Sequence, residues 1–217
     1  MSIGLPPQKS GGTLDFYFDF ISPYGYFGSL CVEDFASDHG LDVEWRPMLL
    51  GISVLKVMKL PPLPERPLMG RYHLEHAIPR HARLHGIHIA RNLAAPPPNP
   101  IAAARAFCLV KRDAPQATVS FARAVLHAHW AEGTDVVSDP QELAAIAARL
   151  GAPADAVAAA RDDPDAAALL RSEVDASIAR GVFGSPTFIV DNEPFFGVES
   201  LPTLDLWLKR RRETGDG

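Results

Sequence analysis

The chain has 217 residues, enough to bury a sizeable core in one large domain or in one domain carrying an insertion. Its composition, 47% hydrophobic and 22% charged, is ordinary for a globular protein. A formal net charge of −5 leaves no broad basic face for nucleic-acid phosphates, and no apolar run approaches a membrane span. Two cysteines far apart, Cys31 and Cys108, make neither a disulfide framework nor a zinc site, so a reducing cytoplasm is the expected compartment.

The opening MSIGLPPQKSGG lacks the apolar core of a secretory signal and reads as a mobile tail over 1–12. Residues 13–20, TLDFYFDF, alternate and are rich in aromatics, which predicts a strand. Residues 25–39 place Phe27, Leu30, Cys31 and Phe35 at helical steps, and Gly40 ends that helix. LDVEWRPML, 41–49, predicts a second strand that ends, or lies at a sheet edge, at Pro47. Strand, helix and strand make a βαβ unit with a parallel pair.

The proline cluster around 61–67 predicts a loop over 51–70, and 69–86 reads as a helix kinked or interrupted at Pro79 and stopped at Gly86. A second proline cluster, AAPPPNP, lies at 94–100. From 101 to 180 the chain is alanine-rich and helical, with restarts at Asp139-Pro140 and at Gly151-Ala152-Pro153. GVFGSPTFIV, 181–190, is a turn and an apolar strand; Asp191-Asn192 signals a hairpin turn, with EPFFGV as the return strand. Leu201, Leu204, Trp207 and Leu208 give the last helix, 200–212, an apolar face. A βαβ unit and a ββα unit flanking helices predict an α/β, thioredoxin-like fold with a large all-helical insertion. The thioredoxin-like domain takes 13–50 and 181–217, and the insertion takes 51–180.

At the turn into the first helix, redox proteins of this plan place Cys-x-x-Cys. Here the chain reads Ser22-Pro23-Tyr24-Gly25. Pro23 suits a first helical turn, and Ser22 falls at the N-cap, where its hydroxyl has an ordinary capping role as well. Pro186, in Gly184-Ser185-Pro186-Thr187, occupies the place of a cis-proline facing that helix; an ordinary loop proline is the plain alternative. Gly197-Val198-Glu199-Ser200 leads into the last helix, where free N–H groups suit a carboxylate and where capping is again the plain alternative.

The motifs FYFDFISPYGYFGSL and VFGSPTFIVDNEPFFGVESL resemble the 2-hydroxychromene-2-carboxylate isomerase family. That family is similar to kappa-class glutathione transferases and to DsbA-like oxidoreductases with a helical insertion. VEWRPMLLG at 43–51 and GRYHLEHAIPRHARLHGI at 70–87 look like the family too. The resemblance implies glutathione as cofactor. Ser22 would be the catalytic serine that hydrogen-bonds the glutathione sulfur. The backbone at Ser185 and Pro186 would pair with the cysteinyl part, and Gly197, Val198, Glu199 and Ser200 would hold the γ-glutamyl end. Glu199 stands where aspartate is usual, and the loop asparagine common in the family is missing from 51–70.

The implied activity is cis–trans isomerisation of an aromatic-degradation intermediate by reversible thiolate addition. The partner is then a small aromatic-derived molecule, in a monomer or a homodimer. Tyr24, Arg46 and Asn99 are the substrate-binding candidates, with Phe27 and Trp45 as further lining; Arg46 would pair a carboxylate or else stand as a surface arginine. Two other readings stay open: a kappa-like glutathione transferase that conjugates electrophiles, and a redox-dead thioredoxin-like module that captures extended peptides at Ser185-Pro186. The histidines match no zinc signature and read as surface or supporting residues, with no metal site expected. Both cysteines read as small buried apolar residues.

Overall fold

The computed structural model describes residues 12–214. The predicted N-terminal tail lies outside the described residues, except Gly12, which opens β1 (Gly12–Phe18). β1 leads to α1 (Pro23–His39) and β2 (Leu41–Pro47), and Gly40 between them adopts φ 68°, the left-handed cap that glycine takes without strain. The helical region follows with α2 (Pro67–Tyr72), α3 (Ile78–Leu84), α4 (Ile101–Asp113), α5 (Thr118–Trp130), α6 (Pro140–Arg149), α7 (Ala154–Ala159) and α8 (Pro164–Ala179). β3 (Thr187–Val190), β4 (Glu193–Phe196) and α9 (Leu201–Thr214) complete the described chain. Among these residues no helix is long and apolar enough to cross a membrane.

The sheet has four strands in the order β2-β1-β3-β4. β1 pairs parallel with β2, whereas β1–β3 and β3–β4 are antiparallel. Asp191 and Asn192 both take positive φ in the tight turn between β3 and β4, as the Asp-Asn signal predicts. Pro47 ends β2, which is an edge strand, so a residue without an N–H costs no ladder bond there.

Alternation along β1 sends Leu14, Phe16 and Phe18 to one face and Asp15 and Tyr17 to the other. On the first face Phe16 meets Trp45 (4.8 Å) and Phe188 (5.6 Å), and Phe18 meets Phe107 of α4 (5.2 Å). The same hydrophobic cluster continues through Phe121, Leu126 and Leu143, so sheet and helices share one core. Trp130 of α5 donates its indole N–H to the carbonyl of Phe20 (3.0 Å), holding the turn after β1.

The segment read as a loop over 51–70 is partly helical. Gly51–Val57 forms π turns, and Pro67 starts α2, where a missing N–H is harmless. The predicted kink at Pro79 is a π segment, His73–Ala77, immediately before α3. Proline clashes with the carbonyl four residues back, and widening the preceding turn relieves that clash without ending the helix.

Candidate functional site

Asp19 organises the turn into α1. Its carbonyl accepts the Ser22 N–H (3.0 Å), and its two carboxylate oxygens accept main-chain N–H groups from Ile21 (3.1 Å) and Leu50 (2.7 Å). The residue is 1% exposed, and burial lifts its carboxyl to about 6 against the pull of those two bonds. Its own N–H reaches Ser185 Oγ (3.0 Å), so Asp19 joins the β1–α1 turn, the segment after β2 and the loop before β3.

Ser22 is the N-cap of α1. Its Oγ accepts from the N–H of Gly25 (3.0 Å) and donates to the carbonyl of Ser185 (3.0 Å). The Ser185–Pro186 peptide is cis, and the Pro186 carbonyl accepts from Gly197 N–H (2.9 Å). Capping and the cis-proline are therefore both present, in direct contact. α1 lies close on this loop because glycine occupies two positions of its buried face. A Cβ on Gly25 would stand 2.7 Å from Ser185 Oγ, and one on Gly28 would stand 3.0 Å from a Phe16 ring carbon and 3.3 Å from Pro186.

A cleft of about 990 Å³ opens beside this contact. Tyr24, Phe27 and Cys31 of α1 line one side; Tyr72, His73, Arg80 and His81 line another; Ser185, Gly197, Val198 and Glu199 close it. Ser22 and Pro186 lie buried behind that lining. Ser200 donates its hydroxyl back to the Gly197 carbonyl (2.7 Å), and among the described residues neither it nor Glu199 accepts a helix N–H as a cap would. Gly197 adopts φ 85°, and a Cβ there would meet Glu199 Oε2 at 3.2 Å. The Glu199 carboxylate is exposed in the cleft and has no hydrogen-bond or ion-pair partner among the described residues.

Two substrate candidates lie elsewhere. Arg46 follows Trp45 on β2, and since Trp45 faces the core, alternation sends Arg46 to the opposite face. There it pairs with Asp15 (2.6 Å) and Glu173 (3.4 Å). Asn99 is exposed and accepts the Ile101 N–H (3.0 Å) at the start of α4. Trp45 is core, its indole N–H on Glu33 (2.6 Å); of the aromatic candidates, Tyr24 and Phe27 reach the cleft.

The histidine wall is the part that sequence reasoning missed. His73 Nδ1 and Tyr24 Oη share a hydrogen bond (2.7 Å), and His81 stacks on Phe27 (4.4 Å between ring centroids) and on His85 (4.3 Å). Burial lowers the pKa of both His73 and His81, so both are neutral imidazoles at pH 7. The signal was the four-residue spacing of 73, 77, 81 and 85, a helix face, rather than any metal signature. Cys108 is buried as expected and its thiol is pushed up to about 12 by desolvation. Cys31 is half-buried and lines the cleft, its thiol also raised by burial.

Comparison with known proteins agrees with this architecture. The chain is 29% identical over 199 residues to a 2-hydroxychromene-2-carboxylate isomerase of Sphingobium xenophagum, covering 90% of this chain and 97% of that one. It is 25% identical over 193 residues to one of Pseudomonas putida, covering 88% and 92%. A solved 2-hydroxychromene-2-carboxylate isomerase superposes with a TM-score of 0.75 at 25% identity, covering 94% of this chain and 99% of that one. The DSBA-like thioredoxin domain profile matches residues 13–209, and the chain belongs to that family.

Proposed function

We propose that the chain is a glutathione-dependent isomerase of the 2-hydroxychromene-2-carboxylate type. The observation that carries this reading is a hydroxyl where the fold's oxidoreductases hold a thiol: Ser22 at the N-terminus of α1, against the Ser185 carbonyl, with Gly25 in place of a second cysteine. Such a site has no disulfide chemistry of its own and suits a thiol brought by a ligand. The residues fit glutathione. The unpartnered Glu199 carboxylate beside Gly197 suits an ammonium group, and the main chain at Ser185 suits a peptide-like backbone. Bound glutathione would supply a thiol that adds reversibly to a conjugated double bond.

The chain's own part is to hold and orient. Ser22 Oγ–H would turn from the Ser185 carbonyl toward the sulfur, freeing that carbonyl for a ligand N–H. The helix N-terminus favours negative charge at the same place. Arg80, which lines the cleft and bonds Tyr72 Oη (3.0 Å), takes the carboxylate-pairing role expected of Arg46. The test is the ultraviolet spectrum of 2-hydroxychromene-2-carboxylate incubated with the protein, with and without reduced glutathione. Glutathione-dependent conversion to the trans isomer with no net thiol consumed is expected. No conversion overturns the reading, and accumulation of a glutathione conjugate replaces it with a transferase.

A further inference from the structure

Among the described residues the Ser22 site itself offers hydrogen-bond donors and the Ser185 carbonyl, but no basic side chain to take a thiol proton. Ser22 Oγ already accepts from Gly25, and a helix N-terminus offers only N–H groups. The acceptor nearest in sequence is Tyr24, two residues into the same helix and lining the same cleft. Its hydroxyl is bound to His73 Nδ1 at 2.7 Å, with the two rings edge to face at 5.6 Å. His73 opens the π segment that precedes Pro79, a local widening of the kind that helices often carry at functional positions.

We propose that Tyr24 and His73 are a proton relay: Tyr24 Oη takes the proton of the glutathione thiol while its own hydrogen passes to His73 Nδ1. The inference rests on the glutathione reading above. The balance is complete without any oxidant or reductant. The S–H bond breaks and its electron pair stays on sulfur; one O–H bond breaks and another forms on Tyr24; an N–H bond forms on His73. A neutral thiol and a neutral imidazole become a thiolate and an imidazolium.

The surroundings suit that traffic. Burial, reinforced by Glu199, keeps the Tyr24 phenol protonated well beyond its ordinary range, so Tyr24 relays and does not store charge. Burial keeps His73 neutral and ready to accept at pH 7. The charged and titratable groups facing the pair are Glu199 from the turn before α9, Arg66 from the start of α2, Tyr72 from its end, and Arg80 and His81 from α3. Glu199 favours the imidazolium and Arg66 opposes it.

The experiment is a histidine NMR titration of the full chain, free, with reduced glutathione and with S-methylglutathione, whose sulfur carries no proton. With glutathione, His73 is expected to titrate about one pH unit higher, roughly a tenfold gain in proton affinity, because a thiolate lies across Tyr24 from it. S-methylglutathione should leave His73 unmoved, and Tyr24→Phe should abolish the rise while the Gly25 and Gly197 amides still shift on binding. If glutathione moves those amides but not the His73 titration, the relay is overturned and the glutathione site stands. If neither ligand moves the amides, the glutathione reading falls and takes the relay with it.

Discussion

Ser22 Oγ donates to the main-chain carbonyl of Ser185 at 3.0 Å. One hydrogen bond thus occupies both the donor proposed for a ligand sulfur and the acceptor proposed for a ligand N–H. Ser22→Ala removes that donor and the cap on Gly25. Loss of the cap should cost about 1 kcal/mol of stability in urea unfolding. Turnover of 2-hydroxychromene-2-carboxylate at saturating glutathione should fall roughly 10²-fold, the usual loss when one preorganised donor is removed. An unchanged rate would remove Ser22 from the chemistry.

Gly25 is a steric requirement. Gly25→Ala would ordinarily gain about 1 kcal/mol of helix propensity. Here its Cβ meets Ser185 Oγ at 2.7 Å, so a net loss of about 1–3 kcal/mol is expected. Ser185→Ala leaves the Asp19 N–H without its partner and is destabilising alone, yet it should reduce the cost of Gly25→Ala, whose Cβ then meets only the Asp19 carbonyl (3.1 Å) and Ser22 Cβ (3.2 Å). A double-mutant cycle by urea unfolding should show that coupling, on the order of 1 kcal/mol or more. Additive losses would mean that the contact is relieved some other way.

Substitutions at Arg80 and Arg46 should have separable effects. Arg80→Gln should raise KM for the carboxylate substrate about tenfold with little change in stability, as expected for one charged hydrogen bond to a ligand. Arg46→Gln should leave KM alone and lower stability, because on the far side of the sheet Asp15 keeps only Arg180 and Glu173 keeps only Lys111. Steady-state kinetics beside thermal melts of both variants distinguish the two; the opposite pattern would restore Arg46 to the site.

His129 carries an acid sensitivity. It is 0% exposed, its Nε2 has no partner among the described residues, and burial lowers its pKa from 6.5 to about 4. The folded value lies below the unfolded one, so the unfolded chain binds the proton more readily. Stability is full above about 6.5 and is lost as pH falls toward 4, by an amount on the order of 2–3 kcal/mol. His129→Leu should flatten the fall between pH 7 and pH 5 in urea unfolding. Parallel curves for the two proteins would assign the acid sensitivity elsewhere.

Asp19 works in the opposite direction. Its folded pKa, about 6, lies above the ordinary 3.8 of an aspartate, so its contribution is favourable in acid and is lost as pH rises through 6. Carboxyl carbon NMR should place its midpoint near 6, with the Ile21 and Leu50 amides moving in step, since both donate to that carboxylate. A midpoint near 4 would mean that the two amide bonds fully offset desolvation.

The parts legible in the sequence were those governed by local rules. Gly40 ends α1, Asp139 caps the helix opened by Pro140, and Asp191-Asn192 turns the last hairpin, each because one side chain or one φ angle decides the outcome. Ser22 and Pro186 could be placed because the order of elements puts them at the same end of one fold. Arg46 was left between a ligand carboxylate and the surface although a rule could decide it: Trp45 faces the core, and alternation then turns Arg46 away. The 51–84 region was least legible. Its prolines read as breakers, whereas the chain uses Pro67 to start a helix and a π turn to accommodate Pro79. The Tyr24–His73 pair joins residues 49 positions apart and depends on that π turn, so no local rule announces it.

The close seating of α1 on the cis-proline loop also limits the mutational routes open to this chain. A dithiol at this turn requires cysteine at 22 and at 25, but a side chain at 25 collides with Ser185 Oγ. Ser185 cannot shorten first without stranding the Asp19 N–H. The changes at 25 and at 185 are therefore each unfavourable alone, and a dithiol at this turn is reached only when both are made together.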